Sequence, residues 1–96
     1  MEIKSNQYKF LPLVTLTKLL LSKIPTHIGF IGFDVFKSPF TLTIKGHVYN
    51  VLIIDNGYIK VRNRSGLSST IKFEELTRTQ LIKILHRVDS INQKKS

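Results

Sequence analysis

Tyrosine and basic residues alternate in one short segment of the chain, in which Tyr58, Lys60 and Arg62 occupy every second position. Because successive side chains of a β-strand point to opposite faces, this spacing predicts one face for these three residues and the other for Ile59 and Val61. A face that carries cations beside an aromatic ring can pair with phosphates while a base stacks on the ring. The segment therefore predicts a surface that binds single-stranded or looped nucleic acid.

Further cations lie where they can extend this surface. Arg64 follows the segment directly, and Lys45 and Lys72 belong to predicted neighbouring strands whose outer faces they would share. A strand with a basic outer face is often only a solvated strand, so the repetition on neighbouring strands is what favours binding. The acids of this region, among them Asp55 and Glu74, fall instead at the predicted strand ends.

A second basic group occurs near the C-terminus, where Lys83, Arg87 and Lys94 share one side of a predicted helix and Arg78 lies near its start. Such a helix could lie along a phosphate backbone. Cations near the end of a helix also stabilise its dipole, which is the structural interpretation of Arg87 and Lys94. With both groups together, the predicted nucleic-acid-binding residues are Lys45, Tyr58, Lys60, Arg62, Arg64, Lys72, Lys83 and Arg87.

The three histidines, His27, His47 and His86, have no spacing that predicts a metal site, and cysteine is absent. His47, beside Lys45 and near Tyr49, could act as the general acid or base of a metal-independent ribonuclease. An exposed histidine in a turn explains the same position more simply. Paired carboxylates for hydrolysis are not evident either. The sequence therefore predicts no catalytic residues, no metal and no cofactor, and a protein that is not an enzyme.

The charge balance of the whole chain favours an anionic partner. Fifteen Lys and Arg against six Asp and Glu give a formal net charge of +9 in 96 residues. A field of one sign attracts polyanions, of which nucleic acid, DNA or RNA, is the commonest. The first predicted function is a non-enzymatic nucleic-acid-binding module. The alternatives are a protein-interaction, structural or inhibitory protein that binds an acidic partner or self-associates, and a small metal-independent ribonuclease.

Length and composition predict one small basic domain over residues 1–96, with residues 1–9 and 92–96 flexible. The apolar fraction of 42% argues against a disordered chain despite the high charge. Without cysteine, neither a disulfide framework nor a thiolate metal site can form, which is typical of a reducing compartment and predicts the cytoplasm. Twelve isoleucines together with abundant lysine suit the AT-rich genome of a bacterium or a phage.

An apolar run covers residues 10–21. A membrane-spanning helix needs about 20 apolar residues, whereas this run is shorter and contains Lys18, so we predict no membrane span. Apolar side chains recur at helical spacing, at Leu13, Leu16, Leu20 and Ile24. The run is therefore predicted to be an amphipathic helix between Pro12 and Pro25.

The middle of the chain predicts a sheet. Clusters of β-branched and aromatic residues predict strands over residues 27–36, 40–45, 48–54, 58–63 and 70–73. Turns are predicted at Gly46-His47, Asn56-Gly57 and Arg64-Ser65-Gly66. Of these, Asn56-Gly57 is the strongest hairpin signal, because both residues tolerate positive φ. Asp34 is the acid that falls inside an apolar run, so we expect it to be buried and paired with a cation.

The last predicted element is a helix. Thr77 is a favourable N-cap, Gln80 stands at the capping-box position, and Leu76 with Leu81 can form the hydrophobic staple. Apolar residues then follow on one face, at Leu81, Ile84, Leu85, Val88 and Ile91. Together the elements predict an α+β fold with an N-terminal helix, an antiparallel meander of four or five strands, which could be a small barrel-like sheet, and a C-terminal helix.

Overall fold

The computed structural model describes residues 4–24, 30–31 and 40–95. In chain order the elements are a 3₁₀ helix Ser5–Phe10, α1 Leu13–Lys23, β1 Phe30–Ile31, β2 Phe40–Ile44, β3 His47–Ile54, β4 Tyr58–Arg62, β5 Ser68–Lys72, a short 3₁₀ helix Phe73–Glu75 and α2 Arg78–Lys95. The predicted α+β fold is confirmed. The expectations for His27, for Asp34 and for most of the predicted strand 27–36 lie outside the described residues.

All pairs formed by the described strands are antiparallel, and β3 lies at the centre of their sheet. β4 pairs with one side of β3, and β5 pairs with β4. On the other side, β2 pairs with the first half of β3 and β1 pairs with its last two residues, so these two strands lie end to end. Among the described strands β5 pairs only with β4, so they form an open sheet and not a barrel.

The turn between β2 and β3 consists of Lys45 and Gly46, whose φ angles are 51° and 83°. Positive φ at both central residues is the type I′ arrangement, whose twist matches that of the flanking strands. The predicted turn at Gly46-His47 is one residue late, because His47 pairs with Ile44 and is the first residue of β3. The prediction of Lys45 on a strand face is therefore wrong, since Lys45 is a turn residue.

The predicted hairpin at Asn56-Gly57 connects β3 to β4. The Asp55 N–H donates to the Tyr58 carbonyl oxygen over 2.9 Å and so encloses the two turn residues. Of the two, Gly57 has the positive φ, 107°. A side chain at this φ would be strained, so Gly57 is the residue of the pair that the turn requires.

The last strand begins and ends earlier than predicted, because β5 runs Ser68–Lys72 and not over residues 70–73. The preceding turn closes when the Asn63 N–H donates to the Leu67 carbonyl oxygen over 2.9 Å, so pairing with β4 resumes at once with Ser68. The strand ends at Lys72 because Phe73 begins the short 3₁₀ helix that leads to α2.

The first helix, α1, begins directly after Pro12. Its residues Leu16 and Leu20 are buried, together with Ile24 just after its end. Leu13, the fourth member of the predicted apolar stripe, is 48% exposed. As the first residue of the helix it borders an open groove instead of the core. None of the helices formed by the described residues is long and apolar enough to cross a membrane.

The start of α2 is the predicted capping box. The Thr77 N–H donates to Gln80 Oε1 over 2.9 Å, and the Gln80 N–H donates to Thr77 Oγ1 over 3.3 Å. Leu76 and Leu81, the predicted staple residues, are both buried. The predicted stripe is confirmed, since each of its residues is at most 1% exposed: Leu81, Ile84, Leu85, Val88 and Ile91.

The helices cover one face of the sheet. The inward-facing residues of β2, β3 and β4 form one buried cluster with α1 and α2, and they are Phe40, Leu42, Val51, Ile54, Ile59 and Val61. A register shift at Leu52 bulges β3 against β4 and leaves this side chain out of the cluster. Tyr8, from a region for which the sequence predicts no element, is 1% exposed and belongs to the same core.

Candidate nucleic-acid interface

The predicted alternation of inward and outward residues is present in β4. Ile59 and Val61 are fully buried, Lys60 and Arg62 are exposed, and Tyr58 is half-buried. Since alternate residues of a strand point to opposite faces, Tyr58, Lys60 and Arg62 share the outer face of the sheet. This is the face opposite to the helices.

The neighbouring strand β5 extends this outer face. Its register against β4 pairs Tyr58 with Lys72, Lys60 with Thr70 and Arg62 with Ser68. Directly opposite residues of an antiparallel pair have Cβ atoms about 5 Å apart, so Lys72 lies beside Tyr58, and two hydroxyl side chains lie beside Lys60 and Arg62. We call the four residues Tyr58, Lys60, Arg62 and Lys72 the outer basic face.

The phenol of Tyr58 is anchored at the hairpin end of β4. Its hydroxyl donates to Asp55 Oδ2 over 3.0 Å, while Asp55 Oδ1 accepts the Asn56 N–H over 2.7 Å. This hydrogen bond and the negative charge of Asp55 raise the pKa of Tyr58. Because the hydroxyl already has its partner, the surface that the ring offers to a ligand is aromatic, which suits stacking.

Arg64 lies beyond the end of β4, in the turn to β5, where it borders a depression. The residues that line this depression are His47, Val48, Tyr49, Asn63, Arg64 and Ser65. They meet because Asn50 pairs with Arg62, so the residues before Asn50 run alongside the residues that follow Arg62. Sequence reasoning did not find the depression, since it depends on the register of β3 against β4.

The α2 cations Lys83 and Arg87 have contacts within the fold. Lys83 Nζ donates to the Thr41 carbonyl oxygen over 2.7 Å and lies 5.8 Å from the centre of the Phe40 ring. The Arg87 guanidinium lies 5.2 Å from the same ring. Partial burial lowers the pKa of Arg87. Both predicted residues are therefore placed against β2 and not on the outer basic face.

A third side chain of α2, that of Gln80, also donates a hydrogen bond to β2. Gln80 Nε2 donates to the Thr43 carbonyl oxygen over 2.8 Å. The carbonyl groups of Thr41 and Thr43 belong to the edge of β2 that faces away from β3, where no strand of the described sheet pairs. Gln80 and Lys83 thus bind carbonyl groups that an uncovered sheet edge would present to other chains.

A polar cluster joins the helices to the first 3₁₀ helix. Asp89 Oδ2 accepts the Tyr8 hydroxyl over 2.5 Å, and Lys23 Nζ forms an ion pair with Asp89 Oδ1 at 2.6 Å. Burial, the hydrogen bond and the charge of Asp89 raise the pKa of Tyr8. Burial alone would lower the pKa of Lys23, but the hydrogen bond and the attraction to Asp89 outweigh it and raise this pKa. No pattern in the sequence connects these distant residues.

The two described histidines, His47 and His86, line different depressions. His47 is exposed at the start of β3, and the ring of His86 packs against Tyr8 with 5.5 Å between centroids. No group of three or more His, Cys, Asp or Glu side chains in the described part of the chain could hold a metal ion. Comparison of the chain with protein-family models, with curated proteins and with solved structures found no match.

Proposed function

We propose that this protein is a non-enzymatic nucleic-acid-binding module, and that the outer basic face is its binding surface. The observation that carries the proposal is the shared face of Tyr58, Lys60, Arg62 and Lys72 on two paired strands. Three cations on one face supply the attraction to phosphates, and the net charge of +9 extends that attraction over a longer range. The absence of cysteine favours the cytoplasm as its location.

A single strand suits this face better than a duplex. Tyr58 is half-buried, with its hydroxyl held by Asp55, so the ring is fixed in place before a ligand binds. An unpaired base can stack on such a ring, whereas the bases of a duplex are already stacked on one another. Lys60 and Arg62 then lie along the strand from Tyr58, where successive phosphates could pair with them.

The test is a salt-dependent titration of one labelled single strand and of its duplex. Lys60→Ala and Arg62→Ala should weaken binding to all sequences alike and reduce the salt slope by about one unit each. Tyr58→Ala should cost about 1–3 kcal/mol with the single strand, less with the duplex, and leave the slope unchanged. Lys4→Ala is the matched control, because Lys4 is exposed beside the helices.

Two results would contradict the proposal. Equal losses for Lys4→Ala and Lys60→Ala, with Tyr58→Ala silent, would show that diffuse charge attracts the nucleic acid. Metal-independent cleavage of an RNA strand that disappears in His47→Ala would instead support the ribonuclease alternative.

A second function is favoured by a separate observation. Three apolar side chains at the start of the helical layer are exposed: Phe10 by 76%, Val14 by 61% and Leu13 by 48%. Two of them border an open groove lined by Leu13, Val14, Thr17, Lys18, Phe73, Glu74, Leu76 and Leu81. Exposed apolar side chains beside a groove mark many protein-binding sites.

We infer that this groove would accept an acidic amphipathic segment of another protein. Lys18 and Glu74 both line the groove and balance each other, so the preference for an acidic segment rests on the net charge of +9 of the whole chain. A second copy of this chain is disfavoured as the occupant, because each copy carries a net charge of +9.

Two peptides with the same apolar residues, one acidic and one basic, test this second function. The acidic peptide should bind, and Val14→Gln should weaken it, while Val48→Gln on the opposite layer should not. Equal binding of both peptides, or concentration-dependent self-association in sedimentation, would contradict the assignment.

A further inference from the structure

The depression beside Arg64 combines an unusual set of side chains. Of the six described residues that line it, five can donate a hydrogen bond, namely His47, Tyr49, Asn63, Arg64 and Ser65. No carboxylate is among the described residues that line it. Its volume, about 380 Å³, falls within the range of small-molecule sites. A site lined by donors and lacking an acid is suited to an anion with several acceptor oxygens.

Asn63 shows how the fold prepares one of these donors. Its Oδ1 accepts the Leu67 N–H over 2.9 Å within the β4–β5 turn. Because the carbonyl side of the amide has this partner, the amide nitrogen remains as the group that Asn63 can offer to a ligand. The same turn positions Arg64 and Ser65, since the Gly66 N–H donates to the Asn63 carbonyl oxygen over 3.1 Å.

The depression adjoins the outer basic face on one side. Val48 alternates with Asn50, which pairs with Arg62, and so lies on that face, whereas His47 and Tyr49 alternate with buried Val51, and Tyr49 packs against the core. Arg64 follows Arg62 by two residues, so a strand that runs along β4 from Tyr58 past Lys60 reaches the depression at its end. Val48, 45% exposed, offers an apolar surface at the rim against which a sugar or base could pack.

We propose that this depression binds a terminal phosphate of the nucleic-acid strand. The proposal rests on the function proposed above and adds to it a preference for phosphorylated ends. A phosphodiester within a strand has two non-bridging oxygens, whereas a terminal phosphate has three acceptor oxygens and a charge of about −1.5 to −2. Five donor side chains around one depression match the terminal group better. The module would therefore bind the end of a strand, with the neighbouring nucleotides along the outer basic face.

The experiment compares one short single strand with a 5′-phosphate, a 3′-phosphate or hydroxyl groups at both ends. A longer hydroxyl-ended strand of equal charge serves as the control for non-specific attraction. We expect one of the phosphorylated strands to bind about tenfold more tightly than the hydroxyl-ended strand of equal charge, because hydrogen bonds to charged groups contribute this much. Arg64→Ala and Tyr49→Phe should reduce this ratio towards one.

Lys72→Ala is the matched variant, because it removes a cation from the other end of the outer basic face. It should weaken all strands equally and preserve the ratio. A ratio near one in the unmodified protein, with all strands bound, would overturn the terminal-phosphate site while the proposed function stands.

If no strand binds, the proposed function fails, and an NMR titration with a nucleoside 5′-monophosphate, and with the nucleoside alone, decides the site separately. Phosphate-dependent shifts confined to the amides of His47, Tyr49, Asn63, Arg64 and Ser65 would support it. An absence of such shifts would overturn it.

Discussion

Lys60 and Arg62 on β4 and Lys83 and Arg87 on α2 are cations of the same types, but the fold uses them differently. Lys83 donates to a carbonyl group of β2, and both α2 cations lie over the ring of Phe40. Lys60 and Arg62 point from the open face of the sheet into solvent. The comparison teaches that a basic pattern in the sequence does not by itself reveal a binding surface. What matters is whether another element lies within reach of the charge.

The difference follows from where each element lies relative to the sheet. The edge of β2 presents carbonyl groups, and long cationic side chains on an adjacent helix can bind them while their stems cover apolar surface. The outer face of β4 and β5 has no described helix above it, so its cations remain available to a ligand.

The largest expected effect on stability comes from placing a negative charge in the core, compared with placing one on the outer face of the sheet. Leu85→Asp should unfold the domain, because Leu85 is a fully buried residue of α2 and an unpaired carboxylate there costs more than about 4 kcal/mol. Lys60→Asp should change the free energy of unfolding by less than about 0.5 kcal/mol. Urea denaturation of both variants checks this. A folded Leu85→Asp variant with an unshifted transition would show that α2 does not pack as described.

The next effect compares two acids that each accept a tyrosine hydroxyl. Asp89→Ala should lower the free energy of unfolding by about 1–3 kcal/mol, because it leaves buried Tyr8 without an acceptor and Lys23 without its ion-pair partner. Asp55→Ala releases Tyr58 at the surface and should cost less than about 1 kcal/mol. Chemical denaturation measures both. An equal loss in the free energy of unfolding for Asp89→Ala and Asp55→Ala would contradict the distinction between the helical layer and the outer face.

Alkaline pH should weaken the same helical cluster. In the unfolded chain Tyr8 and Lys23 lose their protons near 10.0 and 10.5, while in the folded protein both pKa values are raised. The folded state therefore holds more protons above pH 10, and its stability must fall as pH rises through this window. The loss of stability with rising pH should be smaller in Tyr8→Phe than in Tyr58→Phe. Chemical denaturation of both variants at a series of pH values tests this prediction. The same pH dependence of stability in the two variants would contradict it.

Local sequence patterns predicted the two α-helices, the strands β2 to β5 and the two faces of β4. The alternation of Ile59 and Val61 with Tyr58, Lys60 and Arg62 needs only the two-residue period of a strand. The capping box of α2 likewise depends on residues three positions apart, and the structure shows both of its hydrogen bonds. In both cases the structure depends on residues that lie two or three positions apart in the sequence.

Long-range contacts explain what the sequence did not reveal. Tyr8 and Asp89 are separated by 81 residues, and Lys83 and Thr41 by 42, so neither pair has a local signature. The position of Lys45 was missed for a different reason. The alternation of residues 40–45 continues past Ile44 in the sequence, but the type I′ turn that fits the strand twist needs two residues, and Lys45 is the first of them.

The smallest expected effects decide whether the two groups of cations have different roles. Lys83→Ala removes the hydrogen bond to Thr41 and the contact with Phe40, so it should lower the free energy of unfolding by about 1 kcal/mol. Lys83→Arg keeps a donor and a charge and should recover part of this loss. Lys60 is exposed and its side chain forms no hydrogen bond or ion pair with the described residues, so Lys60→Ala should leave stability unchanged within about 0.5 kcal/mol.

Nucleic-acid binding should respond in the opposite order. Lys60→Ala should reduce the salt slope by about one unit, because one phosphate contact is lost, whereas Lys83→Ala should leave the slope near that of the unmodified protein. Measuring stability and salt slope on the same two variants makes each the control for the other. If Lys83→Ala lowers the slope as much as Lys60→Ala, α2 contacts phosphates as well, and the sequence-based assignment of Lys83 and Arg87 to the interface is right. The helix would then have both roles, and a bound strand would extend from the outer basic face across the edge of β2.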